Sequence, residues 1–147
     1  MSKFKSTDPD FESRIRASFN AQQIMQTIGA RLTRIVPGEV WIELPFSPAL
    51  TQQHGFVHAG IVGVVVDSAC GYAAYTLMPT ESEVLTVEYK VNFLSPAQGE
   101  TFVGIGKVIK PGRTLTVCAG EVWARADGQR KLVATMQSTM ISIPKGS

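Results

Sequence analysis

The residues of this 147-residue chain that could carry chemistry gather in one stretch, Gln52 to Pro79, QQHGFVHAGIVGVVVDSACGYAAYTLMP. Gln52, Gln53, His54 and His58 stand together around Gly55, and Asp67 follows nine residues after His58 inside an apolar run. A carboxylate in such a setting can deprotonate water or attack an electrophile directly. It can equally be a structural aspartate satisfied by hydrogen bonds, and the residues alone leave both readings open. His54 and His58 have the spacing of a metal pair, but no third ligand is evident and Gly55 disfavours a helix between them. His58 is expected instead to order the loop by hydrogen bonding to backbone. Cys70 and Cys118 make neither a metal spacing nor a disulfide framework. Both read as buried thiols, and Cys70 has no visible partner to activate it as a nucleophile.

The apolar run is the element that must position these groups. Ile61 to Val66 has the composition of a strand. The run nevertheless continues to Leu77 without a turn signal and stops at Pro79, too long for a buried strand. A helix over 60–77 is expected, about 27 Å long at about 1.5 Å per residue. Ala59, Gly63, Asp67, Gly71 and Ala74 share one stripe of it, and the small residues there suit close approach of another backbone. The remaining surface is largely apolar, so other structure should wrap the helix. Asp67 and three glycines interrupt the run, and it lacks a basic flank, which argues against a membrane span.

The rest of the chain reads as one domain, 1–147, with an N-terminal helical segment over 1–28. Thr7-Asp8-Pro9 is a helix start, and Phe11, Ile15 and Phe19 give an apolar stripe that should pack on the core. A second short helical piece over 21–27 ends at Gly29. Strands are expected over 31–36, 39–46, 84–94, 101–109, 114–126 and 132–143. In the third, Leu85, Val87, Tyr89, Val91 and Phe93 should share one face, with Thr86, Glu88, Lys90 and Asn92 on the other. Lys110-Pro111-Gly112-Arg113 predicts a type II turn, and Asp127-Gly128 predicts a hairpin. The last four strands, joined by short connections, should form an antiparallel meander, giving an α+β fold. With 44% hydrophobic residues, 18% charged and a net charge of +2, the chain is an ordinary globular one, too weakly basic to suggest nucleic acid as a partner. The opening MSKFKSTDPDFESR has no apolar signal core, so a cytoplasmic protein is expected.

This element order, the tripeptide His58-Ala59-Gly60, Asp67 at its spacing, and Ser95-Pro96-Ala97 after a strand resemble the hotdog-fold acyl-CoA thioesterases, most closely the PaaI-like group. The resemblance covers roughly Ala30 to Ile143. It implies an antiparallel sheet wrapped around the long helix, subunits paired edge to edge as a homodimer, and often a dimer of dimers. It also implies Asp67 as the catalytic carboxylate, the Ala59 N–H as the group that polarises the thioester carbonyl, and Gln52 or Gln53 as the residue that holds water or substrate. Thr86 supplies a hydroxyl to the site in some members. Two positions depart from the family pattern. Ala59 replaces a glycine, which is mild because the donor is backbone, and a glutamine stands where relatives often carry asparagine.

Thioester hydrolysis develops negative charge on the carbonyl oxygen. Unsatisfied N–H groups at a helix N-terminus, Ala59 and Gly60 here, can stabilise it without reorganising. Asp67 lies eight residues further along, roughly 12 Å at about 1.5 Å per residue. One helix cannot present both groups to the same carbonyl, so an active site at the dimer interface is expected. No metal or redox cofactor is called for, coenzyme A being part of the substrate. Lys107, Lys110, Arg113, Arg130 and Lys131 are candidates to meet its phosphates, Arg113 foremost because guanidinium suits phosphate. Phe56, Tyr72, Tyr75 and the N-terminal helix are candidates to line an apolar pocket for aromatic or medium-chain acyl groups. The competing functions are a hotdog hydratase or dehydratase, whose differently spaced motifs are not found, and an acyl-CoA-binding sensor or structural subunit without turnover.

Overall fold

The long apolar run folds as a helix because both of its ends are capped. His58, with extended φ −58° and ψ 137°, accepts the Gly60 N–H on its own ring nitrogen, and the helix α3 then runs over Ala59–Tyr75. In the computed structural model, which describes residues 2–147, α3 is preceded by α1 (Phe11–Ala21), α2 (Gln23–Ile28), β1 (Arg31–Val36) and β2 (Glu39–Pro45). It is followed by β3 (Ser82–Phe93), β4 (Thr101–Lys110), β5 (Leu115–Ala126) and β6 (Gln129–Pro144). The strands form one antiparallel sheet in the order β1-β2-β4-β5-β6-β3. α3 contacts β2, β3, β4, β5 and β6, so the sheet wraps it. Among the described residues no helix is long and apolar enough to cross a membrane.

Glycines in the sheet set how close α3 comes. A side chain on Gly106 would run into the backbone of Ala69 and Cys70, and one on Gly104 would come within 2.7 Å of Val65. Gly120 is blocked likewise by Val66 and Cys70. These glycines therefore mark the floor on which the helix rests, rather than weak points of β4. The small-residue stripe of α3 has a different role from the one expected. Gly63 and Gly71 face side chains, the Tyr89 hydroxyl and the Met140 sulfur, and the close backbone approach occurs on the opposite side of the helix.

Three further expectations are corrected. Only β4, β5 and β6 form a meander. β3 pairs with β6 at the far edge, and the 94–100 loop carries the chain across the end of the sheet so that β4 pairs with β2. That loop is held by backbone bonds from Leu94 to Val133 and from Val57 to Ala97, long-range contacts without a local signature. β3 also does not alternate strictly. Val87 is an extra residue between the pairs Thr86–Met140 and Glu88–Thr139. Such a bulge shifts the faces by one. Thr86 and Tyr89, opposite buried Met140 and Ser138, therefore both point at the helix. Finally, Gly112 lacks the positive φ of a type II turn. It is glycine because the Leu115 carbonyl occupies the space of a side chain. Asp127 and Gly128, with φ of 52° and 73°, do make the predicted two-residue hairpin.

The N-terminal segment is tied to the C-terminal end of α3. α1 starts at Phe11, two residues later than Pro9 suggested, because Asp8 turns inward and its Oδ1 accepts the Asp10 N–H at 2.9 Å. Arg14 donates to the carbonyls of Tyr75 (3.0 Å), Met78 (3.0 Å) and Pro79 (2.8 Å), and its guanidinium lies 4.3 Å from the centre of the Tyr75 ring. A cation thus meets carbonyls at the negative dipole end of α3. Arg14 Nε is 3.0 Å from buried Asp8 Oδ2, but its N–H is not aligned on that oxygen, so the contact is charge attraction rather than a hydrogen bond. Removing one member of such a buried pair costs about 3–5 kcal/mol. Arg14→Met is expected to lower Tm by about 6–20 °C, at about 2–4 °C per kcal/mol for a domain of this size. A Tm within 2 °C of wild type by calorimetry would show that the tether contributes little.

Candidate active site

Asp67 sits one helical step from the sheet-facing side of α3 and turns toward β3. The bulge at Val87 aims Thr86 back at it, and the Thr86 hydroxyl donates to Asp67 Oδ1 at 2.8 Å. Burial pushes the Asp67 carboxyl above its usual range, and the Thr86 hydrogen bond offsets part of that rise. Around it lies a pocket of about 150 Å³, lined by Ser18 and Gln22 from the N-terminal helices, by Ser68, Gly71 and Tyr72 from α3, and by Val84 to Thr86 from β3.

The start of α3 opens on a different cavity. A cleft of about 530 Å³ is lined by Gln52, Gln53, Phe56, Val57, His58 and Ala59 on one side and by Phe93 to Ala97 on the other. His58 Nδ1 accepts the Gly60 N–H at 2.8 Å, and its carbonyl accepts from Ile61 and Val62. Gly60 is therefore satisfied internally. Ala59, the exposed first helical residue, has no intrahelical acceptor by position, and among the described residues nothing else accepts its N–H. Of the two candidate donors, only Ala59 is available to a ligand. Gln52 orders the loop: its side-chain oxygen accepts from His54 N–H (2.6 Å) and Phe56 N–H (3.3 Å). Gln53 is exposed at the rim.

Lys110 and Arg113 are exposed at the β4–β5 connection. Leu115 pairs with Ile141 and Ile141 with Leu85, so this connection lies at the Thr86 end of β3, away from its own chain's cleft, which lies at the Phe93 end. Of the pocket residues expected, Phe56 lines the cleft and Tyr72 the Asp67 pocket, whereas Tyr75 is structural and donates to the Ser82 carbonyl. Ser18, Gln22 and Ser68 were missed. Their only sequence signal is a polar residue bordering an apolar helical stripe, which most surface helices have. Both cysteines are buried and free. Burial pushes the Cys70 thiol up to about 12, offset in part by Ser138, and raises Cys118 further, so neither is a ready nucleophile. Among the described residues no three His, Cys, Asp or Glu side chains cluster as metal ligands.

A helix-start donor and a half-buried carboxylate on one wrapped helix are the parts expected of a thioester-cleaving site. The model of the thioesterase superfamily matches residues 54–131. The chain belongs to the thioesterase superfamily. A crystal structure of a thioesterase family protein from Silicibacter pomeroyi is 51% identical, with a TM-score of 0.90 over 91% of this chain and 98% of that one. Human acyl-coenzyme A thioesterase 13 is 29% identical over 129 residues, 85% of this chain and 89% of that protein. The PaaI protein of the E. coli phenylacetic acid degradation operon shares the fold, with a TM-score of 0.84 over 92% of this chain and 95% of that one at 17% identity. The hotdog architecture inferred from the sequence is thus established, and the protein is a thioester hydrolase.

The raised Asp67 has a stability consequence. A carboxyl whose folded pKa lies above its unfolded value, about 3.9, penalises the folded state once pH exceeds the folded value, and the penalty vanishes below the unfolded one. Asp67→Asn should therefore unfold at a higher temperature than wild type at pH 7, with the difference closing as pH falls below the unfolded value of about 3.9, where the carboxyl is protonated in folded and unfolded chains alike. Thermal melts across that range test this, and a variant less stable than wild type at pH 7 would contradict it.

Proposed function

We propose that the protein hydrolyses acyl-coenzyme A thioesters to free acid and coenzyme A, at a site shared between two copies of the chain. The observation that carries this reading is the division of the parts. The Ala59 donor and the glutamines open on one cavity, and Asp67 with Thr86 opens on another. They stand roughly 12 Å apart on one helix at about 1.5 Å per residue. Each is half of a site.

The free edge of β3 suggests how the halves meet. Leu85, Val87, Tyr89 and Phe93 are 55%, 54%, 49% and 48% exposed along it. An apolar, unpaired edge strand is a template for pairing. Two β3 strands paired antiparallel about a two-fold axis would bring the Phe93 end of one chain beside the Thr86 end of the other. One chain's cleft then meets the partner copy's Asp67. The same pairing would bring Lys110 and Arg113 toward the partner's cleft, where the coenzyme phosphates would leave the site. A row of Leu115, Ile141 and Leu85 across three strands offers a further apolar surface on which two dimers can meet as a tetramer.

The chemistry follows from these groups. The thioester carbonyl accepts the Ala59 N–H of one copy. Water, held by Gln53 of that copy, gives a proton to Asp67 of the other while its oxygen attacks the carbonyl carbon. The helix N-terminus stabilises the oxyanion. As the C–S bond breaks, Asp67 returns the proton to the leaving thiolate. Thr86 ties down one carboxylate oxygen and burial makes the other more basic, which favours Asp67 as base. The reading is of a cytoplasmic enzyme whose reaction needs neither metal nor redox cofactor.

Ala59 allows a clean test of the donor. Proline is tolerated at the first helical position, and the conformation of His58 suits a residue before proline. Ala59→Pro should keep the fold and delete the N–H, lowering kcat about 10²–10³-fold. Asp67→Asn should lower it about 10²–10⁴-fold. Thiol release from a panel of aromatic and aliphatic acyl-coenzyme A substrates measures both. Hybrid dimers carry one intact site of two, so refolding equal amounts of the variants together should restore about one quarter of wild-type activity. Mixed dimers verified by mass that remain inactive would refute the shared site.

A further inference from the structure

The Asp67 pocket ends in a wall built by the N-terminal segment, outside residues 54–131 that match the family. Two polar contacts join the N-terminal segment to α3 there. Ser18 Oγ lies 3.2 Å from the Tyr72 hydroxyl, and Ser68 Oγ lies 3.5 Å from the Gln22 side-chain oxygen. Tyr72 is braced from behind by Phe19, with ring centres 6.1 Å apart. Gln22 is the joint between α1 and α2, in extended conformation with φ −80° and ψ 99°, which interrupts the two helices beside the pocket. The Arg14 tether fixes the other end of α1 to the same helix α3. The wall is therefore held at both ends, and the pocket behind it measures about 150 Å³. That is small beside the roughly 300–1,000 Å³ of typical ligand sites.

We infer that this wall is the specificity element: Gln22, backed by Ser18 and Tyr72, sets the length of acyl group that can be hydrolysed and confines the enzyme to short ones. The inference rests on the shared-site reading, in which the larger cleft takes the coenzyme arm and the acyl group runs past Asp67 in the remaining direction. Size is one reason for the limit. Polarity is the other. An alkyl chain long enough to reach the wall would strip water from two hydroxyls and an amide without offering them a hydrogen bond. None of the three residues touches the reacting carbonyl, so their effect falls on which acyl group binds and not on the proton transfer.

The experiment is kcat/KM for straight-chain substrates from butyryl- to lauroyl-coenzyme A, with wild type, Gln22→Ala, Gln22→Trp and the double variant Ser18→Ala/Tyr72→Phe. Wild type should lose activity steeply beyond one chain length, since a misfit methylene is worth about 10–200-fold. Gln22→Ala should move that limit to longer chains, raising kcat/KM on the first excluded substrate relative to butyryl-coenzyme A by about tenfold or more. Gln22→Trp should move it to shorter chains. The double variant, which removes two hydroxyls at nearly constant shape, should raise activity on the longer chains only. A general loss of folding lowers all substrates together and cannot produce opposite shifts. Hydrolysis with the same length profile in all four proteins would overturn the inference and leave the thioesterase reading standing. Absence of hydrolysis of every substrate by wild type would overturn that reading and the inference with it.

Discussion

The contact on which the rest of the molecule depends is the one between the backbone of α3 and the glycines of β4 and β5. Gly106 has no side chain, so the helix at Ala69 and Cys70 lies directly against the strand, and Gly104 and Gly120 admit Val65 and Val66 beside it. A helix seated that deeply cannot rotate or slide without a clash, because interiors are packed near crystal density. The seat fixes the direction of Asp67. With Val65, Val66, Ala69 and Cys70 turned into the sheet, Asp67 turns toward β3, where the bulge at Val87 presents Thr86. A packing constraint thus sets the geometry of the candidate site through two steps, a helix rotation and a strand face.

The two ends of the same helix are treated oppositely. At its C-terminus Arg14 donates to the carbonyls of Tyr75, Met78 and Pro79 and supplies the cation that the dipole favours. At its N-terminus His58 satisfies Gly60 and leaves Ala59 open to a cleft. One end is closed by the protein, and the other retains an unpaired donor and the positive end of the helix dipole. Asp67 follows the same logic. Burial raises its pKa and so costs folding energy at neutral pH, while making it a stronger base. Local rules of stability are broken at these two positions and obeyed around them, as expected of functional sites.

How far the sequence was legible follows from the range of each interaction. α3 was readable because its length, its His58 start and its Pro79 stop are all local. The Asp127-Gly128 hairpin was readable for the same reason. β3 was not. Its place beside β6 depends on the 94–100 loop crossing the sheet, and its faces depend on a single extra residue, Val87, which is chemically indistinguishable from its neighbours. A strict period of two put Thr86 and Tyr89 on opposite faces when both in fact point at the helix. Gly112 was assigned to the correct connection for the wrong reason, since crowding and positive φ leave the same letter in a sequence. Asp67 stood out as a carboxylate inside an apolar run, but its role, like the choice of Ala59 and Thr86, came from the resemblance, and the pattern could not have linked Asp67 to Ser18 and Gln22, some fifty residues away.

The exposed edge and the divided site are, on the shared-site reading, one fact seen twice. A chain with a complete site would have no need of an apolar β3 edge, and such an edge alone would be a hazard. Pairing β3 with its copy covers the exposed side chains and unites the Ala59 donor with the partner copy's carboxylate in a single event. On that reading activity is tied to association by mass action, because the monomer has neither a covered edge nor the two halves of the chemistry in one place. The arrangement also explains why the catalytic parts can sit far apart on the stiffest element of the fold. In that reading rigidity within the chain holds each half, a two-fold axis would bring the halves together, and no loop would have to move to complete the site.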